Sequence, residues 1–153
     1  MKIIEGKYSA AGKMFAIILS RFNEYIGENL LKGALDCFEK HGVTKDNIDV
    51  IKVPGAFEIP VTADRLAATK KYSAIVCLGV IIRGATPHFE YVASAASNGI
   101  SQVALKHSIP AIFGVLTTDT IEQAIERAGT KAGNKGWDAA QTAIEMSDLF
   151  KQI

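Results

Sequence analysis

The run Ala74-Ile-Val-Cys-Leu-Gly-Val-Ile-Ile82 contains no polar side chain, and a strand with one face in water does not tolerate that. Such continuity belongs to a strand covered on both faces, as parallel strands are when crossover helices pack above and below them. Phe15–Ser20 and Ala111–Leu116 share this near-continuous apolar character, whereas Asp49 and Lys52 interrupt Ile48–Val53 and mark it as an edge strand. Between the strands lie helical patterns. Ile26, Leu30, Leu31, Ala34, Leu35 and Phe38 form one apolar stripe that ends near Gly42, a glycine suited to the position just past a helix. Further helices are expected from about Ile59 to Thr69, His88 to His107, Thr120 to Ala128, and Trp137 to near the C-terminus.

Strand and helix alternating at this spacing predict parallel pairing with right-handed crossovers and helices on both faces. The expected fold is a three-layer α/β/α sandwich over a four-stranded parallel sheet. No linker, repeat or low-complexity segment divides the 153 residues, so residues 1–153 read as one domain. Residues 1–12 form an N-terminal arm that either frays or adds a strand to a neighbouring chain. Ala93, Ala95, Ala96, Ser97 and Gly99 make the third helix approachable at close range, by a helix of the same chain or of another subunit.

Charge narrows the function. Seventeen Lys and Arg against sixteen Asp and Glu leave a net charge of +1 with no basic block, which argues against a nucleic-acid partner. No stretch approaches the ~20 apolar residues that span a bilayer, and the N-terminal residues lack the apolar core of a signal peptide, so a cytoplasmic protein is expected. Cys37 and Cys77 sit in apolar segments without metal-ligand spacing and read as buried thiols, and no metal site is expected.

Open α/β sheets bind ligands beyond the carboxyl ends of their strands. After the first strand comes Arg21-Phe22-Asn23, where Phe22 is suited to stacking on a planar ligand or to stapling the start of the helix. After the second comes Pro54-Gly55-Ala56-Phe57-Glu58-Ile59-Pro60, in which Glu58 reads as a ligand contact or as an acid favoured by the helix dipole. After the third, Gly84-Ala85-Thr86-Pro87-His88 offers open backbone amides, a hydroxyl able to cap the next helix, and an imidazole in its first turn. That helix start suits an anion, and His88 is placed either to move a proton or simply to meet solvent. Arg127 and Lys135 are further cations beyond the fourth strand, suited to a phosphate or to the surface. His41 and His107, at helix ends, read as structural. P-loop, dinucleotide, serine-hydrolase and zincin motifs are absent, and no cofactor is expected.

Arg21-Phe22-Asn23, Pro54-Gly55-Ala56-Phe57-Glu58-Ile59-Pro60, Gly84-Ala85-Thr86-Pro87-His88-Phe89 and Gly133-Asn134-Lys135-Gly136, in this order along the chain, closely resemble the lumazine synthase family of riboflavin biosynthesis. The resemblance implies a flavodoxin-like sandwich. It also implies cofactor-free condensation of 5-amino-6-(D-ribitylamino)uracil with 3,4-dihydroxy-2-butanone 4-phosphate to 6,7-dimethyl-8-ribityllumazine, phosphate and water. Carried over by position, Phe22 stacks on the pyrimidine, and Ala56, Phe57 and Glu58 hold the ribityl chain. Val80, Ile81 and Ile82 bind the pyrimidine edge, and Phe113 reaches in from an adjacent subunit. Ala85, Thr86 and Arg127 bind the phosphate with Lys135 nearby, and His88 transfers protons. Members form homopentamers, some closing into 60-subunit shells. The turn Gly129-Thr130-Lys131-Ala132-Gly133 resembles that of the shell formers, and riboflavin synthase is an expected partner. Asp138 stands where many members have Glu.

Two rival classes remain. A non-catalytic flavin or lumazine binder on the same scaffold has no need of Arg127 together with His88. A phospho-acceptor module needs acids at the strand ends, where Arg21, Pro54 and Arg83 stand.

Overall fold

The computed structural model describes residues 1–130 and 133–153. Four strands, β1 (Phe15–Ser20), β2 (Ile48–Val53), β3 (Ala74–Ile82) and β4 (Ala111–Thr118), pair in parallel in the order β2-β1-β3-β4. The chain enforces this pairing, because a helix fills each connection: α1 (Glu24–Lys40), α2 (Ile59–Ala68) and α3 (His88–His107). Two more helices, α4 (Ile121–Arg127) and α5 (Lys135–Leu149), follow β4.

Side-chain alternation on the central strands divides the core in two. Phe15, Ile17, Leu19, Val76 and Leu78 pack with Leu30 and Phe38 of α1 and Ala140 and Ile144 of α5. Ala16, Ile18, Ile75 and Cys77 face the other way, onto Ile59 and Ala63 of α2 and Ile100 of α3. Each large aliphatic side chain so buried stabilises the fold by roughly 1.5–3 kcal/mol, so the doubly covered β1 and β3 are its centre. Gly42 follows α1 with φ 82°, in the expected left-handed conformation. Close packing of α2 on α3 settles one role of the small residues: a Cβ at Gly99 would meet Pro60 at 2.6 Å, so that helix approach is within the chain.

Three expectations need correction. Strand β4 is covered on both faces only over Gly114–Leu116, where Val115 and Leu116 are buried in opposite cores. It is also the second edge of the sheet, pairing only with β3, and Phe113 nearer its start is 45% exposed. Thr86 does not cap α3, because Pro87 occupies the cap position and the helix start has no side-chain cap. Helix α5 begins at Lys135, two residues early, because Asn134 Oδ1 accepts from the amides of Gly136 at 2.8 Å and Trp137 at 3.2 Å.

Between α4 and α5, a short antiparallel ribbon of β5 (Ala128–Thr130) and β6 (Gly133–Asn134) is too brief to leave a periodic signal. Of the turn Gly129–Gly133, Lys131 and Ala132 lie outside the described residues. The arm is in no strand; it is tied to the C-terminal region, where the Lys7 amide donates to Asp148 at 2.8 Å and Gln152 Nε2 donates to the Glu5 carbonyl at 2.9 Å. Among the described residues, no helix is long and apolar enough to cross a membrane.

Candidate active site

The strand order reverses direction between β1 and β3, and at such a switch point the connections leave on opposite faces and open a crevice. A cavity of about 580 Å³ opens there. Phe22 and Asn23 line it from β1, Gly55 to Glu58 from β2, and Val80 to Ile82 from β3. Gly84, Thr86 and His88 close one side, joined by Phe89, Tyr91 and Val92 of α3.

Phe22 stands on a turn that prolongs the parallel ladder. The Arg21 amide donates to Val53 at 2.8 Å and the Phe22 amide to Pro54 at 3.2 Å. Phe22 precedes the capping position of α1, and the helix residue that a staple would need is Gly27, which has no side chain to offer. The ring is instead 72% exposed at the cavity, so the stapling alternative falls away. Phe57 is likewise 60% exposed, on the short 3₁₀ turn Ala56–Glu58. A Cβ at Gly55 would meet Glu58 Oε2 at 3.0 Å, so the glycine leaves room for that carboxylate. Glu58 stands at the capping position of α2 and lines the cavity.

The Gly84–Pro87 loop is exposed and anchored through Arg83. The Arg83 amide donates to Thr118 at 2.8 Å, and its guanidinium bonds Asp119 at 2.8 Å and Glu90 at 2.7 Å while lying 4.4 Å from the Phe89 ring. Ala85 is exposed between Gly84 and Thr86. His88 is exposed in the first turn of α3 and makes no hydrogen bond among the described residues, so its imidazole is free to meet a ligand. His107, by contrast, bonds Asp64 at 2.8 Å and His41 bonds the Cys37 carbonyl at 2.7 Å, as expected of structural residues.

Phe113, Arg127 and Lys135 lie elsewhere, along a groove of about 670 Å³ between β4, α4 and α5. Arg127 has no ion pair among the described residues, while Lys135 Nζ pairs with Asp138 at 2.9 Å. One chain thus carries two separate hollows: an aromatic cavity with an imidazole, and a groove with Arg127 and Lys135 on the open edge of the sheet.

A sequence profile described as 6,7-dimethyl-8-ribityllumazine synthase matches residues 12–151. Proteins named 6,7-dimethyl-8-ribityllumazine synthase from two strains of Clostridium kluyveri are 57% identical over 153 residues, covering 100% of this chain and 99% of theirs. The chain belongs to the 6,7-dimethyl-8-ribityllumazine synthase family. In this lumazine synthase family member, the sequence motifs mark every loop at the mouth of the cavity, but Asn23 has no separate role among them and Tyr91 and Val92 line the cavity from beyond them. The signal for the latter two was helical spacing, since positions three and four beyond His88 share its face.

Proposed function

We propose that the cavity and groove of this 6,7-dimethyl-8-ribityllumazine synthase family member together condense 5-amino-6-(D-ribitylamino)uracil with 3,4-dihydroxy-2-butanone 4-phosphate. The observation that carries the activity is full-length identity of 57% to proteins named for it. The site assignment draws its support from chemistry at the named positions. Phe22 offers its face to the pyrimidine, the peptide edge of Val80, Ile81 and Ile82 offers donors and acceptors, and Ala56, Phe57 and Glu58 receive the ribityl chain. Ala85, Thr86 and Arg127 take the phosphate, with Lys135 beside them. Phe113 and Arg127 reach the cavity from an adjacent subunit, a reading supported by their place in a separate groove of the single chain.

The reaction asks the protein mainly for placement. The 5-amino group attacks the ketone carbon and water leaves as the imine forms. Loss of a proton and phosphate gives an enol, and after its ketonisation the ribitylamino nitrogen closes the second ring with loss of another water. Well-oriented partners reach effective molarities of ~10⁵ M or more, so holding two substrates together supplies much of the acceleration. His88, unpaired at the cavity, moves protons during imine formation and elimination, worth about 10²- to 10⁴-fold.

The assembly read here is a homopentamer closing into a 60-subunit shell, with riboflavin synthase as partner and the cytoplasm as location. The experiment mixes both substrates with the protein at a mass measured by light scattering. Lumazine absorbance and released phosphate should rise one for one at a mass near sixty subunits. Turnover at a pentamer's mass removes the shell, and pyrimidine binding without product removes the catalytic reading.

A further inference from the structure

An Asn at the start of a helix ordinarily accepts a hydrogen bond from the first-turn amides. Asn23 occupies that position of α1 but makes no such bond. Its backbone is left-handed, φ 61° and ψ 44°, a conformation Asn tolerates better than most side chains. The side chain is turned across the crevice, where Nδ2 donates to the Val80 carbonyl at 3.0 Å.

That bond spans the switch point itself. The pairing of β1 with β3 ends at Leu19 and Leu78, beyond which the two strand ends part. Among the described residues, the Asn23–Val80 bond is the one side-chain bond across this opening. On the far side, the Phe22 turn is held to β2 by the Arg21 and Phe22 amides. The aromatic face is therefore fixed to β2 through its backbone and to β3 through one amide. The start of α1 forgoes the stabilisation a side-chain cap would give it.

We propose that Asn23 is a positioning residue that fixes the distance between the Phe22 ring and the Val80–Ile82 strand end, so that a heterocycle stacked on the ring meets the peptide edge. This rests on the pyrimidine occupying the cavity. It separates the two substrates: the pyrimidine needs both walls, whereas the phosphorylated ketone does not.

The test compares wild type with Asn23→Gly, Asn23→Asp and Phe22→Ala, measuring pyrimidine binding by calorimetry and KM for each substrate. Glycine keeps the left-handed backbone and removes only the amide. Asn23→Gly should weaken pyrimidine binding about tenfold, equivalent to about 1.4 kcal/mol, with KM for the phosphorylated ketone within about twofold of wild type. Asn23→Asp, which turns a carboxylate toward the Val80 carbonyl, should weaken it further. Unchanged pyrimidine affinity in Asn23→Gly, with affinity lost in Phe22→Ala, overturns the role of Asn23 and leaves the cavity reading intact. Equal weakening of both substrates with a lowered melting temperature makes Asn23 merely structural and also overturns it. Absent pyrimidine binding in wild type, or affinity untouched by Phe22→Ala, removes the cavity reading and this inference with it.

Discussion

Asn134 joins three parts of the molecule, and the cost of removing it follows from its bonds. Oδ1 accepts from the first-turn amides of α5, and Nδ2 donates to the carbonyls of Asn29 in α1 at 2.9 Å and Ala128 in β5 at 3.2 Å. The amide lies flush against Gly33, where a Cβ would collide with it, so the glycine leaves the side chain its seat. Asn134→Ala loses the cap, typically ~1 kcal/mol, and two bonds of ~0.5–1.5 kcal/mol each, together about 2–4 kcal/mol. Asn134→Ser keeps a capping oxygen and should lose only the second part, about 1–3 kcal/mol. Asn134→Asp keeps the cap and suits the helix dipole but turns a carboxylate toward two carbonyls, so it should fare no better than Ala. Urea denaturation at one fixed protein concentration measures these differences, since any self-association couples stability to concentration. Asn134→Ala within about 0.5 kcal/mol of wild type, or Asn134→Ser no better than Asn134→Ala, would refute the reasoning.

His88→Ala should slow turnover about 10²-fold or more without abolishing it, and a folded variant with no activity at all would contradict a site that works mainly by placement. Arg127→Ala should raise KM for the phosphorylated ketone and leave pyrimidine affinity alone; an equal loss of both in titrations would count against the phosphate assignment. Burial pushes the Cys37 thiol up to about 11 and the Cys77 thiol up to about 12, so the thiolate population falls as pH drops below those values and is minute at pH 8. A chromogenic disulfide reagent should therefore label neither cysteine in the native protein and both in urea, and rapid native labelling at pH 8 would place a thiol at the surface.

The legible parts of the fold are those that one periodicity governs. Phe15–Ser20, Ile48–Val53 and Ala74–Ile82 begin and end where their apolar runs do, because helices cover β1 and β3 and charge marks β2. The hydrophobicity of β4 reports the cover over Gly114–Leu116 but does not count neighbours, so neither its edge position nor the exposure of apolar Phe113 was legible. The start of α5 was hidden in Asn134, whose cap is a three-dimensional fact, and the β5–β6 ribbon is too short for any pattern. The loops of the site were legible because strand order places them together. The division of its residues between cavity and groove was not, since sequence order says nothing about which edge of the sheet lies open. Nothing in the sequence sets Asn23 apart from its place beside Phe22; the bond of its amide to Val80, made from a left-handed backbone, is visible only in three dimensions.

The central claim, that the Phe22 cavity of one chain works with the Arg127 groove of the next, is tested most directly by mixing subunits. Phe22→Ala and Arg127→Ala chains are unfolded, combined in equal amounts and reassembled, and lumazine formation is followed by absorbance at substrate concentrations far below the raised KM of each variant. In a ring of head-to-tail contacts, random mixing leaves about a quarter of the sites with both halves intact, so about a quarter of wild-type activity should return. Activity no higher than that of the separately reassembled variants would place both halves on one chain and contradict the account.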